Sequence, residues 1–475
     1  MEPSQTPQRT SRTEYTLLGL LLLLAYLGLG ALFAVRTPDW QAPDEPAHYN
    51  YVRQLVHGRW PIIELGDWDQ AYLSEVVGAE FDPAYEVDGL TYEDWQPPLY
   101  YLLQVPIYRL SGGSLTAMRL LSVVLGAGVV ALAYLIGRVV FDGRVPLALA
   151  VAAFVAFLPQ HLAILGSVNN DSLAELLIAA TLALLVLPWP DRPAPGRLLG
   201  LGLLLGLGFL TKGTAYLMAP VAGIFLLARY GARPDRVAGG TQLKLLATNR
   251  MLIKALLLVF VPALLLGLLW WGRNVAVYGG LDVIGKEAHD AVVIGQPRTA
   301  EWIAQYGLGG TASRFLRTTF TSFWGQFGWM AAPLPGWMVG LLAAITLAAL
   351  TGLLLAVVDG RRQPKDDRDR SLLTRHSSFV TRHSLHVLIL GLTFLLTLAL
   401  HVFYNLTFVQ HQGRYLFPAL IPIAVGFAAG LGYWLRPVIQ RWAWTAYLLP
   451  LGVALLLGGM SLYALWRIVP GLAPG

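Results

Sequence analysis

Apolar runs of about 18 to 25 residues, separated by short polar stretches, repeat along the chain, and a helix of that length crosses the hydrocarbon core of a bilayer. Such runs lie at 15–35, 116–138, 145–165, 171–188, 197–211, 213–229, 252–271, 335–357, 386–408, 414–435 and 443–466. They predict an all-α polytopic membrane helix bundle with about eleven transmembrane helices. Two places depart from the pattern. The run Pro97 to Leu110 has only about 14 residues and opens with Pro97-Pro98, which suits an interfacial or re-entrant helix better than a crossing. Leu198 to Tyr230 is too long for one helix and short for two, and Lys212-Gly213 near its middle predicts a tight hairpin between thin spans.

Charge sets the orientation. If 97–110 does not cross, nearly every basic cluster falls in one set of loops: Arg138 and Arg144, Arg192 and Arg197, Arg229 to Lys254, Arg361 to Arg370, and Arg436 with Arg441. The positive-inside rule makes those loops cytoplasmic, whereas counting 97–110 as a crossing would turn them all outward. The expected layout is a cytoplasmic tail at 1–14 and one transmembrane domain over 15–475. Within it lie a first outer loop at 36–115 with interfacial helices, a second large outer loop at 273–334 and a flexible cytoplasmic loop at 359–385. The cytoplasmic loop nearly repeats Thr374-Arg375-His376-Ser377 as Thr381-Arg382-His383-Ser384, which reads as a solvated linker. Arg9 and Arg12 ahead of the first run imitate a secretory signal. That run is too long, and Leu32-Phe33-Ala34 lacks the small residue a cleavage site wants first, so the first helix is expected to stay.

Composition narrows the functions. Of 475 residues, 56% are hydrophobic and 13% charged, as a membrane protein requires. The net charge of +6 would suggest nucleic acid in a soluble chain; here orientation in the bilayer accounts for it, and no nucleic-acid partner is expected. With no cysteine, disulfides, thiolate nucleophiles and cysteine metal sites are excluded. Many of the 15 Trp and 20 Tyr read as interfacial belts, Tyr100 and Tyr101 among them. The aromatic run Phe320 to Met330 reads as core or interface packing, or as part of a groove for lipid or sugar.

The polar exceptions gather on the outer face. Segment 36–96 holds 13 acids against three bases, and opens on Pro43-Asp44-Glu45-Pro46-Ala47-His48. On a helix Asp44 and Glu45 diverge by about 100 degrees, so one can act as general base while the other orients substrate or binds a cation. Asp44 also fits a plain N-cap before a helix opening at Pro46. Asn169, Asn170 and Asp171 precede an apolar helix, where Asp171 is either a cap or a partner carboxylate. Asp44, Asp171 and His48 together offer ligands for a divalent cation: Mg or Mn, or Zn if the histidine joins. Arg273 and Arg414 sit at membrane exits, where a cation can snorkel, yet outward arginines run against the positive-inside bias. A guanidinium there suits phosphate oxygens, and Lys212 adds a point charge. The candidate catalytic residues are thus Asp44 and Glu45; the candidate substrate contacts are His48, Gln96, Asn170, Lys212, Arg273, Arg414 and Tyr415.

In these residues and their order the chain resembles the GT-C superfamily of membrane glycosyltransferases, particularly the protein O-mannosyltransferase and aminoarabinose transferase branch (glycosyltransferase family 39-like). Asp44-Glu45 matches a paired acidic motif of the first outer loop, Pro97-Pro98 the surface helix that follows, and Asp171 a second outer acid. The Leu210-Thr211-Lys212-Gly213 turn and Arg414-Tyr415 look similar too, and the likeness covers about residues 15 to 435. It implies a polyprenyl-phosphate-linked sugar donor and inverting transfer on the extracytoplasmic face, with Asp44 as base. Gln96 departs from the His or Lys often found before the Pro-Pro pair. No large C-terminal soluble domain follows the last span, so a lipid or glycan acceptor is expected over protein. The rival classes are a transporter or flippase of a lipid-linked sugar and a noncatalytic membrane protein. A transporter commonly places polar groups at the bilayer midplane and repeats its halves, and neither trait is visible here.

Overall fold

The protein was analysed as a computed structural model, which describes residues 12–231, 242–362 and 384–474. The tail expected at 1–14 and the loop expected at 359–385, with its repeated Thr-Arg-His-Ser, lie outside the described residues except at their edges. So do Arg233 and Arg236 of the basic clusters.

A helix stands at each of the eleven apolar stretches: α1 (Arg12–Arg36), α5 (Leu115–Val140), the pair α6 (Val145–Phe157) and α7 (Pro159–Leu165), α8 (Asp171–Val186) and α9 (Pro195–Phe209). Next come α10 (Met218–Tyr230), α11 (Gln242–Tyr278), α14 (Gly336–Arg362), α15 (Ser384–Asn405), α16 (Leu420–Arg441) and α17 (Leu448–Tyr463). Among the described residues, eight helical stretches are long and apolar enough to cross a membrane, or nine if α6 and α7 form one broken span bent by 60°. At 16 and 15 residues, α8 and α9 are shorter than a full crossing. The chain is a multi-pass membrane protein.

Helix α6 is apolar on every side and accordingly lies in the middle, with nearly all its residues buried between α1, α5, α16 and α17. Pro159 cannot continue its hydrogen-bond ladder, which ends α6 and turns the chain into α7. A buried polar pair secures the bend: His161 Nε2 lies 2.7 Å from Glu175 of α8, and its Nδ1 lies 2.8 Å from the Val155 carbonyl. Elsewhere small residues allow backbones to touch. A Cβ on Gly352 of α14 would sit 2.1 Å from the Gly430 carbonyl of α16.

The two long polar segments, 36–115 and 273–334, fold into short elements of their own. The first holds α2 (Glu45–Val56), α3 (Gln70–Gly78) and α4 (Leu99–Ser111); the second holds α12 (Lys286–Val292), α13 (Thr299–Trp324), kinked at Gly307, and a hairpin of β1 (Gln326–Phe327) and β2 (Ala332–Pro333). Both segments share one small core, in which Ile63, Leu73, Val76 and Phe81 meet Val292 and Val293. The 97–110 run forms α4, which is not among the helices long enough to cross. Its tyrosines are not in an interfacial belt, however. Tyr100 and Tyr101 are fully buried, bonding to Ser122 of α5 and to His48 respectively, because each polar tip finds a partner inside.

Candidate active site

Three turns converge at the polar segment that follows α1. The chain enters α2 through Asp44 in a left-handed conformation (φ 69°), which aspartate tolerates better than most residues. That turn separates the paired acids. Asp44 makes no capping bond to the helix; Tyr92 donates to its Oδ1 at 3.1 Å, and Arg414 Nη2 meets its Oδ2 at 2.5 Å. Glu45 points the other way. It is fully buried in a two-pronged pair with Arg119 of α5, at 2.8 and 2.6 Å, and also accepts the Val168 amide at 3.0 Å. Arg119 further donates to the carbonyls of Ala34, Thr37 and Pro38 where α1 ends.

The second turn carries Asn169, Asn170 and Asp171 into α8. Asn169 Oδ1 accepts the Asp171 amide, so the capping bond comes from Asn169 and the Asp171 carboxylate is left to pair with Lys212 at 2.6 Å. Lys212 follows α9 in the hairpin that the sequence predicts, where the Leu99 amide of α4 donates to the Leu210 carbonyl. In the third turn Gly413 leads into Arg414 against α13. A Cβ there would lie 2.3 Å from the Phe323 nitrogen and the Thr319 carbonyl, so only glycine fits.

Asp44, His48, Glu93, Gln96, Asp171, Lys212, Arg414 and Tyr415 all line one cavity of about 570 Å³. Its walls include Trp68, Trp95 and Trp329, with Leu400 and Tyr404 of α15. The aromatic run therefore divides: Phe323 and Trp324 belong to the core, whereas Trp329 and Met330, both at positive φ, reach the cavity. Arg414 is 9% exposed, and its Nε and Nη1 are buried with no hydrogen-bond partner.

Electrostatics separates the acids. Burial pushes the Asp44 carboxyl up, but Arg414 above all, with Lys212 as a lesser pull, draws it back, and the net result lies below the usual carboxylate range. Burial and then Asp44 push Glu93 up to about 8. The His48 imidazole is driven down to about 3 by burial and then Lys212, and so is neutral, with its Nδ1 2.8 Å from the Tyr101 hydroxyl.

Not every expected residue reaches the cavity. Glu45 is spent on Arg119, so it holds the Asp44 turn and does not face a substrate. Asn170 lies behind the wall, donating to Gln96, Tyr101 and the Thr211 carbonyl. Arg273 is elsewhere: it donates to the Pro61 carbonyl, Asn274 and Tyr278, and lies 4.7 Å over the Trp270 ring. The Arg273→Ala variant is accordingly expected to keep ligand binding within twofold in a direct binding assay while losing stability. The three residues of the expected divalent-cation site, Asp44, Asp171 and His48, all line the cavity. Each carboxylate already faces a cation, and no group of three or more His, Cys, Asp or Glu able to hold a metal occurs among the described residues.

Sequence reasoning missed Arg119 and Glu93. Arg119 did leave a signal, being a charge four residues into an apolar run. Glu93 left none, since it is one acid among 13 in its segment.

Residues 95–238 match the family described as dolichyl-phosphate-mannose-protein mannosyltransferase. No curated protein matches the chain. Among solved structures, the chain is similar to an Archaeoglobus fulgidus oligosaccharyltransferase in complex with zinc and sulfate, at 17% identity and TM-score 0.49. That match covers 93% of this chain and 53% of the other, so the chain spans about half the length of that relative. The S. cerevisiae protein O-mannosyltransferase complex bound to the sugar donor is 18% identical, covering 58% of this chain and 38% of that one, with TM-score 0.38. A transferase from Cupriavidus metallidurans bound to undecaprenyl phosphate is 15% identical over 95% and 78%, with TM-score 0.39. The family match over residues 95–238 agrees with the protein O-mannosyltransferase branch that the motifs resemble.

Proposed function

We propose that the protein is an integral membrane glycosyltransferase that moves a sugar from a polyprenyl-phosphate-linked donor to a lipid or glycan acceptor on the extracytoplasmic face, with inversion. The observation that carries this reading is Arg414, which holds Asp44 with one nitrogen while two more are buried in the cavity wall without partners. Buried donors lacking acceptors are costly, and a phosphate supplies what they lack. Asp44 takes the proton of the acceptor hydroxyl as its oxygen bonds to the anomeric carbon. The bond from that carbon to phosphate breaks, and the phosphate departs with the electron pair beside Arg414. Lys212, already neutralised by Asp171, tempers the same charge.

Arg414 sets the working pH. A base held below the usual carboxylate range stays ionised in more acidic medium, so the acid limb of the kcat/KM profile is expected below about pH 4, the ordinary aspartate value. Arg414→Gln removes the main downward pull, leaving burial to push Asp44 up. The limb then moves to higher pH, and donor binding weakens about a hundredfold, read by kinetics across pH and by equilibrium binding.

The deciding experiment offers a panel of radiolabelled polyprenyl-phosphate sugars to the purified protein with lipid and glycan acceptors. Transfer releases free carrier phosphate and a new glycoside. Intact donor appearing on the other side of a vesicle, with no glycoside formed, would replace this reading with transport.

A further inference from the structure

Glu93 lines the same cavity as Asp44, and the transfer step above gives it no task. Its Oε2 is buried and has no hydrogen-bond partner. A buried carboxylate oxygen without a donor is unfavourable, whereas a carboxylic acid hydroxyl at that place needs an acceptor, which a ligand can bring. The nearby cation with unpartnered nitrogens, Arg414, independently marks this cavity as one that receives an acceptor-rich group.

The charged and titratable groups around Glu93 come from several elements. They are Asp44 at the start of α2, Tyr101 of α4, Lys212 after α9, Tyr404 of α15 and Arg414, with Tyr92 and Asp94 flanking it in sequence. Burial first and Asp44 second favour its protonated form, against the pull of Lys212, a hydrogen bond with Gln96, and Arg414. Two carboxyls sharing one cavity thus take opposite states, Asp44 charged and Glu93 neutral.

We propose that Glu93 is a further ligand-binding residue of this cavity, acting as an uncharged acid whose hydroxyl donates a hydrogen bond to a phosphate oxygen of the lipid-linked ligand. The proposal rests on the donor reading above. No proton is transferred. In alkaline medium Glu93 ionises, and the oxygen that held the phosphate then repels it.

The test measures undecaprenyl phosphate binding to the full chain in lipid nanodiscs at pH 7 and pH 9, for wild type and Glu93→Gln. Taking their ratio cancels the ionisation of the phosphate itself. Wild-type affinity relative to the variant is expected to fall about tenfold, because only about a tenth of the acid stays protonated one unit above its midpoint. Equal pH dependence in the two proteins would overturn the role of Glu93 and leave the donor reading standing. Absence of binding to wild type at either pH would overturn both. If Glu93→Gln does not insert, Asp44→Asn serves instead. Removing that negative charge is expected to shift the alkaline fall to lower pH, and an unmoved midpoint would refute the proposal.

Discussion

Asp44→Asn is expected to lower sugar transfer about a thousandfold while the protein still inserts and binds donor, because the amide cannot take the proton of the acceptor hydroxyl. The substitution keeps the side-chain length, its carbonyl can still accept from Arg414 and its amide can donate to the Tyr92 hydroxyl, so the turn into α2 survives. The cost in stability is moderate, since the carboxylate is 23% exposed and its loss leaves Arg414 less well compensated. The measurement is transfer of label from whichever donor the wild type turns over, at equal amounts of membrane-inserted protein. Undiminished transfer would remove Asp44 as the base. Undiminished transfer together with the alkaline fall in binding would leave Glu93 standing alone.

Arg119→Met is expected to cost about 3–5 kcal/mol, because it strands the Glu45 carboxylate in the interior. Both partners are almost wholly enclosed, at 1% and 0% exposure. The same arginine holds three carbonyls at the end of α1, so its loss also frees the chain that delivers Asp44 to the cavity. Thermal unfolding in detergent reads the first effect and transfer kinetics the second. Replacing Glu45 with methionine in the same protein removes the stranded charge and should recover part of the stability. It should not recover transfer, since the Asp44 turn remains untied. Recovery of both would mean that the pair only supports the fold.

The division of labour between Asp44 and Glu45 shows where the sequence stops being informative. Adjacent acids at a membrane exit mark chemistry, and helical geometry says that they must diverge. Which of them faces the substrate depends on a residue about 75 positions away, Arg119, and on another some 370 away, Arg414. Arg273 makes the same point in reverse. As an outward arginine it looked equivalent to Arg414, yet Pro61 and the Trp270 and Tyr278 rings occupy it in the structure.

By itself the sequence determined what local physics controls. Apolar length sets the helices, and proline and glycine set their breaks, because each depends on neighbouring residues. Only the tertiary structure decided which of the polar motifs meet. Pairing between distant charges, the burial that pushes the Glu93 carboxyl up, and the close approach permitted by Gly413 are set by how helices far apart in the chain pack together.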